Sequence, residues 1–319
     1  MYNVPKSEPV ILYREIVALF VIFIIILYLL YPADKILELV QKEESNIDLT
    51  ITYLEKIQKT NPADISIWER LLELYIRKGD YNKANDLIEK MGNYPKEDIS
   101  SKAVLLRFIL NKNLYYATNN QKYRLILSNM AENLLEGFKD DKIRLAELYK
   151  DYLSLAMPDK ALFFAKELAI LYLKEKDFKN AKIWLENVYK QALATSNFDE
   201  ALKALKALIS IEPTNITYYE NLAKIYIAKK EYKEASNIYL QLAEKDITKR
   251  KIYIIKAIKT LQSGNMLSDA AELAKRNEKL LIHNKADFEF LMKLYIATGK
   301  LEYAKELAIM YGKSVGALK

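Results

Sequence analysis

The feature that most constrains this chain is a register of 34 residues within residues 182–248. Laid over each other, residues 184–213 and 216–247 place Ala201 over Ala235, Phe198 over Tyr232, Leu185 over Tyr219 and Tyr189 over Ala223. Each stretch carries apolar residues at helical spacing, interrupted once by a turn, so each reads as a helical hairpin. A hairpin of that size cannot bury its own apolar face and is stable only against a neighbour of the same kind. The chain is therefore expected to grow by adding units rather than by closing one globular core. Its 7 glycines and 7 prolines in 319 residues fit long helices and short turns better than a sheet.

Counting each unit from the start of its first helix, large apolar residues recur at places 4, 7 and 11 and a small one at place 20. In the unit starting at Ile65 these are Trp68, Leu71, Tyr75 and Ala84, with Gly79 in the turn. The same frame starts again at Lys142, Lys182, Ile216, Lys251 and Lys285, in steps of 40, 34, 35 and 34 residues. Place 20 is then Ala161, Ala201, Ala235, Ala270 and Ala304. A methyl group lets the second helix approach the first closely, where a leucine would hold it off. Place 11 is Tyr75, Tyr152, Tyr226 and Tyr295, departing to Ala192 and Leu261. Prolines stand between hairpins, at Asn61-Pro62 and Glu212-Pro213, where they stop a helix and push the preceding residue out of the helical region.

On these residues the chain resembles the tetratricopeptide repeat family over most of its length after about Asn46. The resemblance implies an all-α, right-handed solenoid of antiparallel helix pairs that serves as a binding scaffold, and fold alone does not name what is bound. The expected divisions are a tail at 1–15, a membrane helix at 16–33, and a juxtamembrane helix with a half-repeat at 34–64. One repeat follows at 65–98, a degenerate helical hairpin at 99–141 and five repeats at 142–319.

The run from Ile16 to Ala33 holds no charge and consists mostly of Ile, Leu, Val and Phe. As a helix at ~1.5 Å per residue it spans about 27 Å, near the ~30 Å hydrocarbon thickness of a bilayer. Tyr13 at one end and Tyr28 and Tyr31 at the other sit where amphipathic rings favour the headgroups. The sequence 30–33, Leu-Tyr-Pro-Ala, lacks a small-x-small cleavage pattern, so an uncleaved anchor is expected rather than a signal peptide or a buried helix. Lys6 and Arg14 precede the run while Lys35 and Lys42 follow it, a tie that the amino terminus tips towards N-terminus inside. The short tail before the run points the same way. The expectation is a single-pass inner-membrane protein with its repeats in a bacterial periplasm. Ile36, Leu37, Leu39 and Val40 then continue the helix or start an amphipathic one, and Ile51, Leu54 and Ile57 face inward on an isolated helix over 48–60. No Gly/Ser-rich or Pro-rich linker separates repeats from membrane.

Between 99 and 141 the frame is lost, although Val104, Leu105, Phe108, Ile109, Leu125, Ile126 and Met130 keep a helical period. The polar stretch 111–121, with Tyr115, Tyr116, Asn119 and Asn120, reads as a longer connection projecting from the array. At the other end Leu307, Ile309 and Tyr311 are either masked by the fold or free to dock another chain, which makes oligomerisation through this end one expectation and a longer repeat array the alternative.

In the tetratricopeptide frame, places 2, 5, 9 and 12 of the first helix share the stripe that lines the groove. Place 9 is lysine in all five later repeats, Lys150, Lys190, Lys224, Lys259 and Lys293. Place 5 is Glu186, Glu220 and Glu289 in three of them, with Ala146 and Ile255 in the others. One reading is that Glu and Lys four apart simply support each exposed helix by ~0.3–0.5 kcal/mol. The other is that Lys150 and Lys259 with Lys256, lacking such glutamates, attract an acidic peptide or an anionic polysaccharide, helped by the amides of Asn187 and Asn221. Members of the family that clamp a peptide carboxylate do so with lysine at place 5 and asparagine at place 9. The reversed chemistry here argues against that clamp.

Enzymatic chemistry has little to work with. There is no cysteine, so no disulfide, thiolate metal site or thiol nucleophile, and the only histidine, His283, lies in a loop where meeting the last carbonyls of a helix explains it. No Gly-rich phosphate loop follows a strand. No catalytic, cofactor or metal residue is expected. The net charge of +7 is spread over 49 basic and 42 acidic residues, which favours solubility and anionic partners over nucleic acid. Together with Tyr31-Pro32, residues 48–54 and Asn61-Pro62, the anchored array is similar to inner-membrane scaffolds of exopolysaccharide export and related secretion machines. The expected function is a membrane-anchored scaffold holding protein partners in such an envelope assembly. The alternatives are a module for an anionic peptide or polysaccharide in transit, or a cytoplasm-facing adaptor.

Overall fold

The computed structural model describes residues 13–30, 47–95, 97–282 and 284–314. Among the described residues all regular structure is helical, and the chain divides into two compact units, Met1–Leu134 and Leu135–Lys319.

The first unit begins with α1 (Tyr13–Leu30). Its side chains from Ile16 to Ile26 are exposed, the large apolar ones by 45–64 %. With Arg14 and Glu15 in the first turn, the uncharged part of α1 covers about 22 Å at ~1.5 Å per residue. Among the described residues no helix is long and apolar enough to cross a membrane. The last three residues of the expected span, the expected amphipathic segment around Ile36, and Lys6, Lys35 and Lys42 lie outside the described residues.

α2 (Ile47–Thr60), α3 (Ile65–Lys78), α4 (Tyr81–Gly92), α5 (Glu97–Thr118) and α6 (Gln121–Gly137) follow. The expected inward face of α2 is present, with Leu54 fully buried, Ile51 nearly so and Ile57 packed against the same core. That core is completed by Trp68 and Leu71 of α3, Ala84 and Ile88 of α4, and Leu106 and Leu110 of α5. Tyr75 closes it on one side, where its hydroxyl donates to Glu55 Oε1 at 2.6 Å. This bond holds the Glu55 carboxyl below the usual carboxylate range, while burial, and then Glu55 itself, push the Tyr75 hydroxyl up.

The expected projecting connection at 111–121 is absent. α5 continues to Thr118 and the turn is only Asn119 and Asn120. Buried Leu110 and Leu114 extend the apolar stripe through the polar stretch, and Asn111, Asn113 and Thr118 donate to the carbonyls of Arg107, Ile109 and Leu114 four residues back. The polar side chains are thus satisfied by the helix itself and do not break it.

The second unit contains α7 (Lys142–Ser154), α8 (Pro158–Lys174), α9 (Phe178–Ala194), α10 (Phe198–Ile211), α11 (Ile216–Ala228) and α12 (Tyr232–Lys245). After a single 3₁₀ turn at Ile247–Lys249 come α13 (Arg250–Ser263), α14 (Leu267–Arg276), the short α15 (Glu278–Leu281), α16 (Lys285–Ala297) and α17 (Leu301–Ser314). The place-20 alanines Ala161, Ala201, Ala235 and Ala270 are fully buried and Ala304 is 8 % exposed, as close helix contact requires.

One turn recurs at the hairpin tips. In the α7–α8 turn Ala156 takes the left-handed conformation at φ 53°, Met157 N donates to Tyr152 O at 2.9 Å and Ala156 N to Leu153 O at 3.0 Å. The same pair of bonds ties the helix ends at Gly79, Lys176, Ser196, Lys230, Asn265 and Gly299. Four of these seven positions hold neither Gly nor Asn, the residues that accept positive φ most readily. Ala156→Gly is therefore expected to raise stability by about 0.5–1 kcal/mol, read as a higher denaturant midpoint.

The turn at Lys176 explains the odd step of 40 residues. It joins α8 to α9, a position where other hairpins are linked by Pro213 or by the 3₁₀ turn. α8 carries its own frame, with Leu168, Tyr172 and, across the turn, fully buried Ala181 at places 7, 11 and 20. α8 thus closes one hairpin and opens the next. The hairpin read as starting near residue 184 has a first helix that begins earlier, at Phe178.

At the far end Leu307 is fully buried and the Tyr311 ring stacks on Phe288 with centroids 4.4 Å apart, so the last hairpin itself covers both. Ile309 stays 43 % exposed. His283 lies outside the described residues.

Candidate functional site

Successive first helices of the second unit, α7, α9, α11, α13 and α16, are linked by polar contacts between their side chains. Gln191 Nε2 donates to Tyr149 Oη at 3.2 Å, and the Tyr149 and Trp184 rings meet edge to face at 5.2 Å. Tyr218 Oη donates to Glu186 Oε1 at 2.8 Å. Tyr253 Oη and Lys256 Nζ reach Glu220 Oε1 at 3.4 and 3.3 Å, and Lys251 Nζ meets Asp287 Oδ2 at 2.6 Å. Burial, reinforced by Glu186 for Tyr218 and by Glu220 for Tyr253, raises both phenols, so both remain donors at any ordinary pH.

These contacts bear on the first reading of the lysine ladder, in which Glu and Lys four apart support each helix. The glutamates one turn before Lys190 and Lys224 are taken by the next repeat, and Glu289 lies 3.8 Å from Lys285 rather than beside Lys293. The Glu186–Lys190 and Glu220–Lys224 pairs are not formed, and the tyrosine at place 3 of the following first helix, Tyr218 or Tyr253, reaches the same carboxylate. Lys150, Lys190, Lys224, Lys259 and Lys293 are all exposed, and none lies within 4.0 Å of a carboxylate among the described residues. Asn221 Oδ1 accepts weakly from Lys224 at 3.5 Å, and Asn187 and Asn221 are half-buried. Lys256 is held by Glu220 and lies over the Tyr239 and Tyr253 rings at 5.7 and 5.2 Å, and Lys259 lies over the Phe290 ring at 5.8 Å.

The ladder also has apolar neighbours that charge alone did not reveal. One turn after the lysine, place 12 holds Leu153, Leu193 and Ile296, exposed by 37, 39 and 58 %, and half-buried Ile227. At the start of the helices, place 2 holds exposed Ile143, Ile183 and Ile252. Ile227, Tyr232, Tyr239, Lys256 and Lys259 line an open pocket of ≈ 230 Å³ between α11, α12 and α13. The signal for these residues was in the sequence as apolar residues on a groove-facing stripe, but whether place 12 faces solvent or a neighbouring helix is a tertiary matter.

Hairpins of this build, with alanine at the contact and aligned first helices, define a helical-repeat protein. Residues 192–246, the region of the 34-residue register, match the model of the tetratricopeptide repeat family. Among solved structures the chain is similar to the MamA protein, at 18 % identity and TM-score 0.30 over 55 % of this chain and 97 % of that one. It is also similar to BtubC (BKLC) from P. vanneervenii, at 12 % identity and TM-score 0.33 over 71 and 92 % of the two chains. A signal transduction ATPase with a tetratricopeptide repeat sensor from Pyrococcus horikoshii is similar at 15 % identity and TM-score 0.32, over 88 % of this chain and 46 % of that one.

Proposed function

We propose that the chain is a membrane-anchored tetratricopeptide scaffold that holds a protein partner against the first helices of its second unit. The observation that carries the reading is the set of five exposed lysines, none within 4.0 Å of a carboxylate among the described residues, beside exposed leucines and isoleucines, on helices tied together by their own tyrosines and glutamates. A surface held this way presents its side chains in advance, which lowers the entropy a partner must give up. The anchor rests on the uncharged run of residues 16–33 and on the exposure of the apolar side chains of α1. With the N-terminus inside, the repeats face a bacterial periplasm close to the lipid, and a cell-envelope assembly such as exopolysaccharide export is the setting the sequence resemblance favours.

The test is a photo-crosslinking residue in place of Lys224 in the full chain, expressed in living cells. The expected result is that the chain stays in carbonate-washed membranes and captures one protein species. Release by carbonate would remove the anchor from this reading, and heterogeneous or absent protein adducts would remove the scaffold.

A further inference from the structure

We infer that one edge of the second unit rests on an anionic lipid surface. Helices of the hairpins alternate in direction, so the loops that follow each second helix lie at one edge and the hairpin tips at the other. The Lys176 turn falls on the loop edge, because α8 closes one hairpin and opens the next. Neighbouring loops there are fastened to one another. Lys142 pairs with Glu175, Lys182 with Glu212 and Lys251 with Asp287, while Lys245 Nζ donates to Pro213 O at 3.1 Å. Asp141, Asp177 and Asp246 are also engaged, each accepting from the backbone N–H three residues on. These bonds take up acids of the edge and leave bases over. Lys174, Lys176, Lys179, Arg250, Arg276 and Lys279 are exposed with no carboxylate within 4.0 Å among the described residues, and the exposed acids likewise left over are Glu136, Asp140 and Glu244.

The same edge holds large apolar side chains in water. Ile247, in the single 3₁₀ turn between α12 and α13, is 76 % exposed, and Ile252, Phe178 and Ile143 at the starts of α13, α9 and α7 are exposed by 52, 53 and 76 %. Isoleucine beside free lysine and arginine suits a bilayer surface, where the cations meet phosphates and the apolar side chains enter the boundary of the acyl chains. A nucleic acid offers phosphates but nothing to cover Ile247, and side chains standing out from loops and helix starts would need hollows to receive them on a folded partner. The opposite edge has exposed Leu301 but lacks the charge, since Glu234, Asp269 and Glu302 offset Lys230 and Lys233 there. The lysine ladder lies about two turns further along each first helix, so the edge goes beyond the scaffold reading without using its surface.

The chain has no cysteine, so a single labelling site can be introduced. The full chain carrying Ile247→Cys, or Asp269→Cys on the opposite edge, is labelled with an environment-sensitive fluorophore and reconstituted into vesicles of phosphatidylcholine and phosphatidylglycerol in equal parts. A nitroxide on the lipid headgroup serves as quencher, and emission is read on chain that floats with the vesicles. The label at 247 should be quenched several-fold more than the label at 269. That difference should vanish on phosphatidylcholine alone, in high salt, and with Lys176→Glu, Arg250→Glu and Lys279→Glu combined, at unchanged helix content by circular dichroism. Equal quenching at both sites overturns the inference, as does quenching at 247 that survives the three reversals or the loss of phosphatidylglycerol. A chain that does not float overturns it together with the anchor, whereas a chain that floats with its label at 247 in water overturns the inference alone. In either case a residue at 224 that still captures one protein in cells leaves the scaffold reading standing.

Discussion

Trp68→Ala is expected to destabilise the first unit by about 3–5 kcal/mol, the range for removing a large ring from a packed core. Trp68 is 2 % exposed, its Nε1 donates to Pro62 O at 2.9 Å, and its ring meets Tyr94 edge-on at 6.0 Å. The substitution therefore removes core volume between α2, α3 and α4 together with the bond that fixes the α2–α3 break. Repeat architectures couple mainly through nearest neighbours, so the loss is expected to stay local. The chain has two tryptophans, and the other, Trp184, lies in the second unit. In Trp68→Ala the remaining emission reports on the second unit alone, while amide exchange across α2–α4 reports on the first. Fast exchange in α2–α4 with an unshifted Trp184 midpoint is the expected result. A common shift of both would show one cooperative unit and refute the local account.

Gly264→Ala is expected to cost about 1–3 kcal/mol, although alanine is the better helix residue by ~1 kcal/mol. Gly264 ends α13, and a Cβ there would lie 2.7 Å from Tyr232 Cβ and equally close to the base of its ring. The obstructing atom is fixed to the backbone of α12, so relief requires the two helices to part, and Tyr232 also lines the pocket. Gly137→Ala is the control, since a Cβ at Gly137 meets nothing within 4 Å. Equal midpoints for the two variants would show that α13 does not press on Tyr232 and would refute this account.

The groove is partly legible in the sequence. Lysine at place 9 is a periodic signal, and all five side chains are exposed. What surrounds the lysines is not legible there, because Glu186 and Lys190 have the spacing of a helical ion pair and nothing local says that Tyr218, 32 residues on, takes the carboxylate. Polar composition misleads at residues 111–118, where asparagine and threonine bond back to their own helix. The step of 40 residues hides a helix shared by two hairpins, since Tyr172 and Ala181 look like ordinary core residues until the Lys176 turn is seen.

By itself the sequence determined that this protein is built of helical hairpins, where their close contacts fall and which side of each first helix is basic. These follow from spacings within one or two turns, and a period of 34 residues repeats them until they cannot be mistaken. Only the tertiary structure decided which carboxylates remain available, which apolar side chains stay in water and where a turn of the same geometry joins the hairpins differently. Those depend on residues about 20 to 40 positions apart, where a hydroxyl, an ammonium and a neighbouring helix compete for one partner. Burial and geometry settle that competition, and neither is written in local spacing.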